Sequence, residues 1–247
     1  MAFKDLYLLI NSAGVYIGLC KVIDSKIATP KMTSNTKPRG RAFAISILGG
    51  NYDVWKAFNQ VDDQGYTCDT RDGSIGYLGF EFEKPIIIGK YAVRSMNTTD
   101  NIRFMPKDWT FEGSNDGVNW DILDIQSDQS WYEGTIPLAN TDKLYSLTNI
   151  TKYKMYRLNW TKNNGGHITG FNELKMYELI DIQIVNMPLL KKENIIKYGI
   201  DKLNESIFKG EFLKKLCISD KANALPSGKI FEHEIDLKKY DVIKITI

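Results

Sequence analysis

The stretch "WTFEGSNDGVNWDIL", Trp109 to Leu123, decides how this chain folds. "WTFEGS" alternates in the manner of a strand, "NDG" is a group of turn formers, and "VNWDIL" reads as a returning strand. Asp116-Gly117 suits a tight turn, because glycine accepts positive φ with no Cβ to clash. Large aromatic side chains on strands usually bury, so Trp109 and Trp120 are expected in a core rather than on an exposed stacking platform.

The same texture extends outward from about Ala28 to Leu179. "GYLGFEFEKPIIIGKYAV" alternates Leu78, Phe80 and Phe82 against Tyr77, Gly79 and Glu81, then breaks at Pro85. "KMYRLNWT" sets Tyr156, Leu158 and Trp160 against Met155, Arg157 and Asn159, and "NELKMYEL" carries Leu174, Met176 and, out of phase, Tyr177. Short strands at close spacing with Gly, Asn, Asp and Ser between them predict an all-β sandwich or barrel. Little in this stretch follows a helical period.

The two ends read differently. Residues 1–27 predict a β-hairpin, "LYLLI" and "VYIGLCKVI" around "NSAG". Neighbouring Leu8, Leu9 and Ile10 would give both faces apolar side chains, so the hairpin either edges the main core or docks on another subunit. Residues 180–247 predict a small α+β attachment unit. Ile196, Ile200, Leu203 and Ile207 follow a helical period that Gly199 weakens, and "KIFEHEIDLKKYDVIKITI" supplies two strands.

Composition bounds the function. The chain has 247 residues, 43% of them hydrophobic, and 32 basic against 30 acidic residues leave a net charge of +2. Such a balance points to neither a nucleic-acid binder nor a strongly acidic partner. The three cysteines, Cys20, Cys68 and Cys217, fit neither a disulfide framework nor metal-ligand spacing, so buried thiols and a reducing compartment are expected. The apolar run Leu6 to Ile10 is too short for a secretory signal, and no window of the sequence would span a membrane as a helix. Two histidines, His167 and His233, and no nucleophile, phosphate-loop or metalloprotease motif argue against an enzyme.

Five segments taken in order carry a resemblance: "ATPKMTSNTKPRGRAFA", "YDVWKAFN", "GYLGFEFEKPIIIGKYAVRS", "PKDWTFEGSNDGVNWDIL" and "YKMYRLNWTKNNGGHITGFNELKMYE". Together they resemble the discoidin, or coagulation-factor type C, galactose-binding-like domain family, in the version found in tail proteins of phages and prophages of Gram-positive bacteria. The resemblance implies an eight-stranded antiparallel jelly-roll sandwich over residues 28–179, with loops protruding at one end and a non-catalytic binding role. It further implies a virion component, assembled in a bacterial host cytoplasm, whose partners are host cell-wall glycan, other tail proteins and further copies of itself.

Within that frame, polar loops supply the candidate ligand-binding residues Tyr52, Asp69, Arg71, Asp72, Asn101, Arg103, Asn163, Asn164 and His167. Sugar recognition uses planar faces and forked donors or acceptors for hydroxyls, and these residue types provide them. Sugar-binding members of the family often hold a structural calcium ion, and the matching positions here are Asn59, Asp62, Asp63 and Glu173. Asn59 stands where an aspartate is usual, which removes one negative charge from the set. The competing reading is a structural spacer or decoration protein that contacts other virion proteins and binds no sugar.

Overall fold

A computed structural model describes residues 2–10, 16–63, 65–67 and 75–186. These divide into two compact units: residues 2–10, 16–25, 148–151 and 179–186, and residues 26–63, 65–67, 75–147 and 152–178. The expected C-terminal helix and strands lie outside the described residues, as do Cys68, Cys217, His233 and the "NSAG" turn.

In the smaller unit, β1 (Ala2–Ile10) and β2 (Tyr16–Ile27) pair antiparallel from Ala2↔Asp24 to Ile10↔Tyr16, which is the expected hairpin. Lys21 is buried there, and its Nζ donates to the Thr148 carbonyl at 2.8 Å.

The larger unit holds, in chain order, β3 (Arg41–Ala44), β4 (Tyr66–Thr67), β5 (Gly76–Ile86), β6 (Ile88–Arg94), β7 (Pro106–Ser114), β8 (Asp121–Gln126), β9 (Tyr132–Glu133), β10 (Ile136–Pro137), β11 (Asp142–Ser146), β12 (Tyr153–Asn163) and β13 (Gly170–Phe171). The last strand, β14 (Glu173–Asn186), begins in this unit and runs through the expected boundary at Leu179. One sheet has the order β3-β5-β12-β7-β8 and the other is built on β14-β6-β11, with neighbouring strands antiparallel in both. The unit is a mainly β antiparallel sandwich, as the alternation predicts.

Alternation decides which side chains enter the core. On β5 and β12 the alternating residues Leu78, Phe80, Phe82, Tyr156, Leu158 and Trp160 are buried, and the opposing sheet supplies Tyr91, Val93, Leu174 and Met176. Tyr91 stacks on Phe111 with centroids 4.2 Å apart and planes within 5°. Burial of the Tyr91 hydroxyl requires partners: it donates to Asp124 Oδ2 at 2.7 Å and accepts from Trp109 Nε1 at 2.9 Å. Pro85 does not end its strand. β5 continues to Ile86, and the chain is pinned where it passes to β6 by the Tyr156 hydroxyl, which donates to the Ile86 carbonyl at 2.7 Å and accepts from Ile88 N at 3.2 Å.

The 109–123 hairpin forms with a longer turn than expected. β7 ends at Ser114 and β8 starts only at Asp121, so Val118 to Trp120 belong to the turn. The Asp116 carboxylate organises it, accepting from the Asn119 side-chain Nδ2, Val118 N and Asn119 N at 2.8 Å each, and these bonds hold its pKa well below the usual carboxylate range. Gly117 takes φ +74°, a left-handed conformation costing an L-residue about 1–2 kcal/mol. Gly117→Ala is expected to lower stability by about that amount in a urea melt. Trp109 is buried, as expected. Trp120 is not in the core: it is half-buried over the outer face of the sheet, its ring against Arg157.

Candidate functional site: a loop cluster at one end of the sandwich

Sheet register brings two of the candidate loops together. On the paired strands β12 and β7, Asn163 lies opposite Pro106, so the segment leading into β7 meets the segment leaving β12. A short 3-10 turn, Thr99–Phe104, precedes β7. β13 pairs with β4 through Gly170↔Thr67 and Phe171↔Tyr66, and Leu48 N donates to the Thr67 carbonyl, which ties the segment before the Gly50–Tyr52 turn to β4.

Two backbone bonds sew the first two loops: Gly166 N to the Arg103 carbonyl at 3.0 Å and Asn164 N to the Met105 carbonyl at 3.0 Å. The side chains then gather around Phe104. His167 meets its ring edge-on with centroids 5.3 Å apart, and the Arg103 guanidinium lies 5.1 Å from the ring centre. Arg103 and His167 are exposed, whereas Phe104 is buried. The arrangement is a buried aromatic ring that holds an exposed forked cationic donor and an exposed imidazole at the surface, polar groups of the kind that bind hydroxyls.

The other predicted residues take different places. Asn163 is buried and scaffolds its own loop, donating to the carbonyls of Gly166 at 2.9 Å and Ile168 at 2.8 Å. Asn164 is likewise committed, its amide donating to the Met105 carbonyl at 3.0 Å. Asn101 is half-buried on the 3-10 turn, and Tyr52 is half-buried on the Gly50–Tyr52 turn. Asp69, Arg71 and Asp72 lie outside the described residues. Phe104 is the residue that polarity-based selection passes over; the Arg-Phe pair in an otherwise polar loop is its signal.

Gly166 is a close-approach position, because a Cβ there would overlap Phe104 Cδ1. Gly166→Ala is therefore expected to push the ring out of the cluster and weaken ligand binding about tenfold, with a stability loss of about 1–3 kcal/mol for the forced repacking. Thermal melts beside binding isotherms would check both.

The calcium candidates split. Asn59, Asp63 and Glu173 share one network: Val61 N donates to Asn59 Oδ1 at 3.0 Å and Glu173 Oε1 at 3.2 Å, and Asn59 Nδ2 donates to Asp63 Oδ2 at 2.9 Å. Asp62 instead forms a two-point pair with Arg94, at 2.5 and 2.8 Å. Glu173 is 2% exposed, and burial pushes its pKa up to about 8 against the pull of the Val61 and Gln60 backbone N–H groups. Among the described residues no group of three or more His, Cys, Asp or Glu side chains is placed to hold a metal ion. A divalent cation at this cluster would need Glu173 in its ionised form.

Fold and loops together define an antiparallel β-sandwich with a polar–aromatic loop cluster at one end. The chain is similar to several solved carbohydrate-binding modules. One, from Clostridium perfringens and solved with GalNAc-β-1,3-galactose, is 15% identical over 58% of this chain and 99% of that one, with a TM-score of 0.46. The family 32 module of NanJ from the same organism, in complex with galactose, is 15% identical over 59% and 98%, with a TM-score of 0.45. A chitosan-binding module from Paenibacillus sp. IK-5 is 14% identical over 60% and 98%, with a TM-score of 0.45. No protein-family model and no curated protein sequence matches the chain.

Proposed function

We propose that this protein is a non-catalytic component of a phage or phage-like tail that binds host cell-surface glycan at the loop end of its sandwich. The observation that carries the reading is the cluster of Arg103 and His167 around Phe104, held by bonds between two separate loops. The tail setting, the Gram-positive host and a homo-oligomeric assembly rest on the resemblance of the five sequence segments. A glycan array and a whole-cell pull-down test the reading; a signal no higher than that of a variant truncated in both loops would sink it.

A second reading, a structural part that contacts other virion proteins, draws on Ile122, Ile125, Ile136 and Leu144, each at least half exposed. Loops buried against neighbours in the assembled particle would favour it, and loops facing solvent would favour adhesion.

Calcium at Asn59, Asp63 and Glu173 is a separate proposal with its own condition. Ionised Glu173 adds a second carboxylate to that of Asp63, and below about pH 8 calcium must displace its proton, so added calcium is expected to raise the melting temperature more at about pH 9 than at about pH 6. An equal shift at both pH values would contradict it.

A further inference from the structure

The outer face of the five-stranded sheet carries a second arrangement that the loop site does not use. Pairing registers align Phe43, Gly79, Arg157, Glu112 and Ile122 in one row across the strands, β3 to β8, and Tyr77, Asn159, Thr110 and Ile125 in the next. Gly79 leaves a gap in the first row that the Phe43 ring covers, since a Cβ there would overlap Phe43 Cζ. Arg157 is fixed on three sides. Its guanidinium carbon lies 3.9 Å from the Trp120 ring centre and 5.3 Å from that of Tyr77, and its Nε donates to Glu112 Oε2 at 2.6 Å. Phe43 completes the aromatic set, 6.2 Å from Trp120 and 6.4 Å from Tyr77.

We infer that this face is a second carbohydrate platform, built for a short neutral oligosaccharide lying across the strands. Three features select that ligand class. Aromatic rings alternate with a guanidinium and an amide, which suits sugar rings with apolar faces and hydroxyl edges. From Phe43 to Glu112 the row crosses three strand spacings, about 14 Å, enough for a run of sugar rings rather than a single one. The charges are nearly balanced: Arg157 pairs with Glu112, and Arg41 and Lys154 share Glu81 at 2.8 Å each, so a polyanion gains little. Arg157 keeps 19% of its side chain exposed while Glu112 keeps 6%, so the guanidinium is the member of the pair that a ligand can reach.

The test is a titration of the full chain with cellotetraose, chitotetraose and a β-1,4-galactotetraose, with tetragalacturonate as the acidic comparison, read by affinity and by the Trp120 indole N–H resonance. A neutral tetrasaccharide is expected to shift that resonance. Trp120→Ala and Tyr77→Ser, both half-exposed positions, are expected to weaken binding at least tenfold with melting behaviour retained, while Arg103→Ala leaves this binding unchanged. Four results would each overturn the inference: no neutral tetrasaccharide bound at millimolar concentration, preference for tetragalacturonate, loss on Arg103→Ala alone, or self-association abolished by Trp120→Ala with no effect on sugar. Because the loop and face variants are separate, failure here leaves the loop-site reading standing.

Discussion

Between about pH 4.5 and pH 8 the protein is expected to lose about 4–5 kcal/mol of stability, and Glu173→Gln is expected to abolish most of that loss. The sign follows from proton uptake. Burial raises the Glu173 pKa from 4.5 to about 8, so within this window the folded chain holds a proton that the unfolded chain has released. Stability from this group is complete below pH 4.5, falls as pH rises and is level above about 8. The carboxylates with depressed pKa values, Asp62, Glu81 and Asp116, gain partners when ionised and act at lower pH. They leave the window to Glu173. Glutamine keeps an oxygen for the Val61 and Gln60 N–H groups and carries no charge to bury, so the variant should overtake the wild type at pH 8–9. Urea melts at pH 5, 7 and 9 check this; identical slopes for the two proteins would contradict it.

Removing Arg157 is expected to cost about 3 kcal/mol, most of it recovered when Glu112 is neutralised as well. The Glu112 carboxylate is nearly buried and accepts from Arg157 Nε, from Thr110 Oγ1 at 2.5 Å and from Asn159 Nδ2 at 2.9 Å. Arg157→Ala leaves a buried charge with two neutral donors, the situation in which breaking a pair costs more than the pair contributes. Glu112→Gln in the same chain removes that charge. A double-mutant cycle in urea should give a coupling of about 2 kcal/mol, and additive effects would show that the pair is screened by water.

The sandwich was legible in the sequence because its strands alternate cleanly: Leu78, Phe80, Tyr156, Leu158 and Trp160 all bury as their phase requires. Trp120 was misread because its position depends on where β8 begins. The Asp116 carboxylate extends the turn to six residues, Asn115 to Trp120, and a side chain in a turn owes nothing to strand period. In the loop cluster, polarity was legible and direction was not. Asn163 and Asn164 look like ligand donors, yet their amides close the loop on itself, and only the fold reveals which carbonyls stand nearby. Asp62 is lost from the acidic group for a similar reason, since Arg94 reaches it from 32 residues away.

The central claim, that the loops at 98–105 and 163–169 hold a glycan, is tested most directly by amide-resolved NMR of the 15N-labelled chain titrated with host cell-wall polysaccharide fragments. The account predicts shifts concentrated at Arg103, Phe104, Gly166 and His167, and their loss in an Arg103→Ala, His167→Ala double variant whose melting curve matches the wild type. Fragment binding that leaves those four amides unmoved, or that persists there in the double variant, would contradict it.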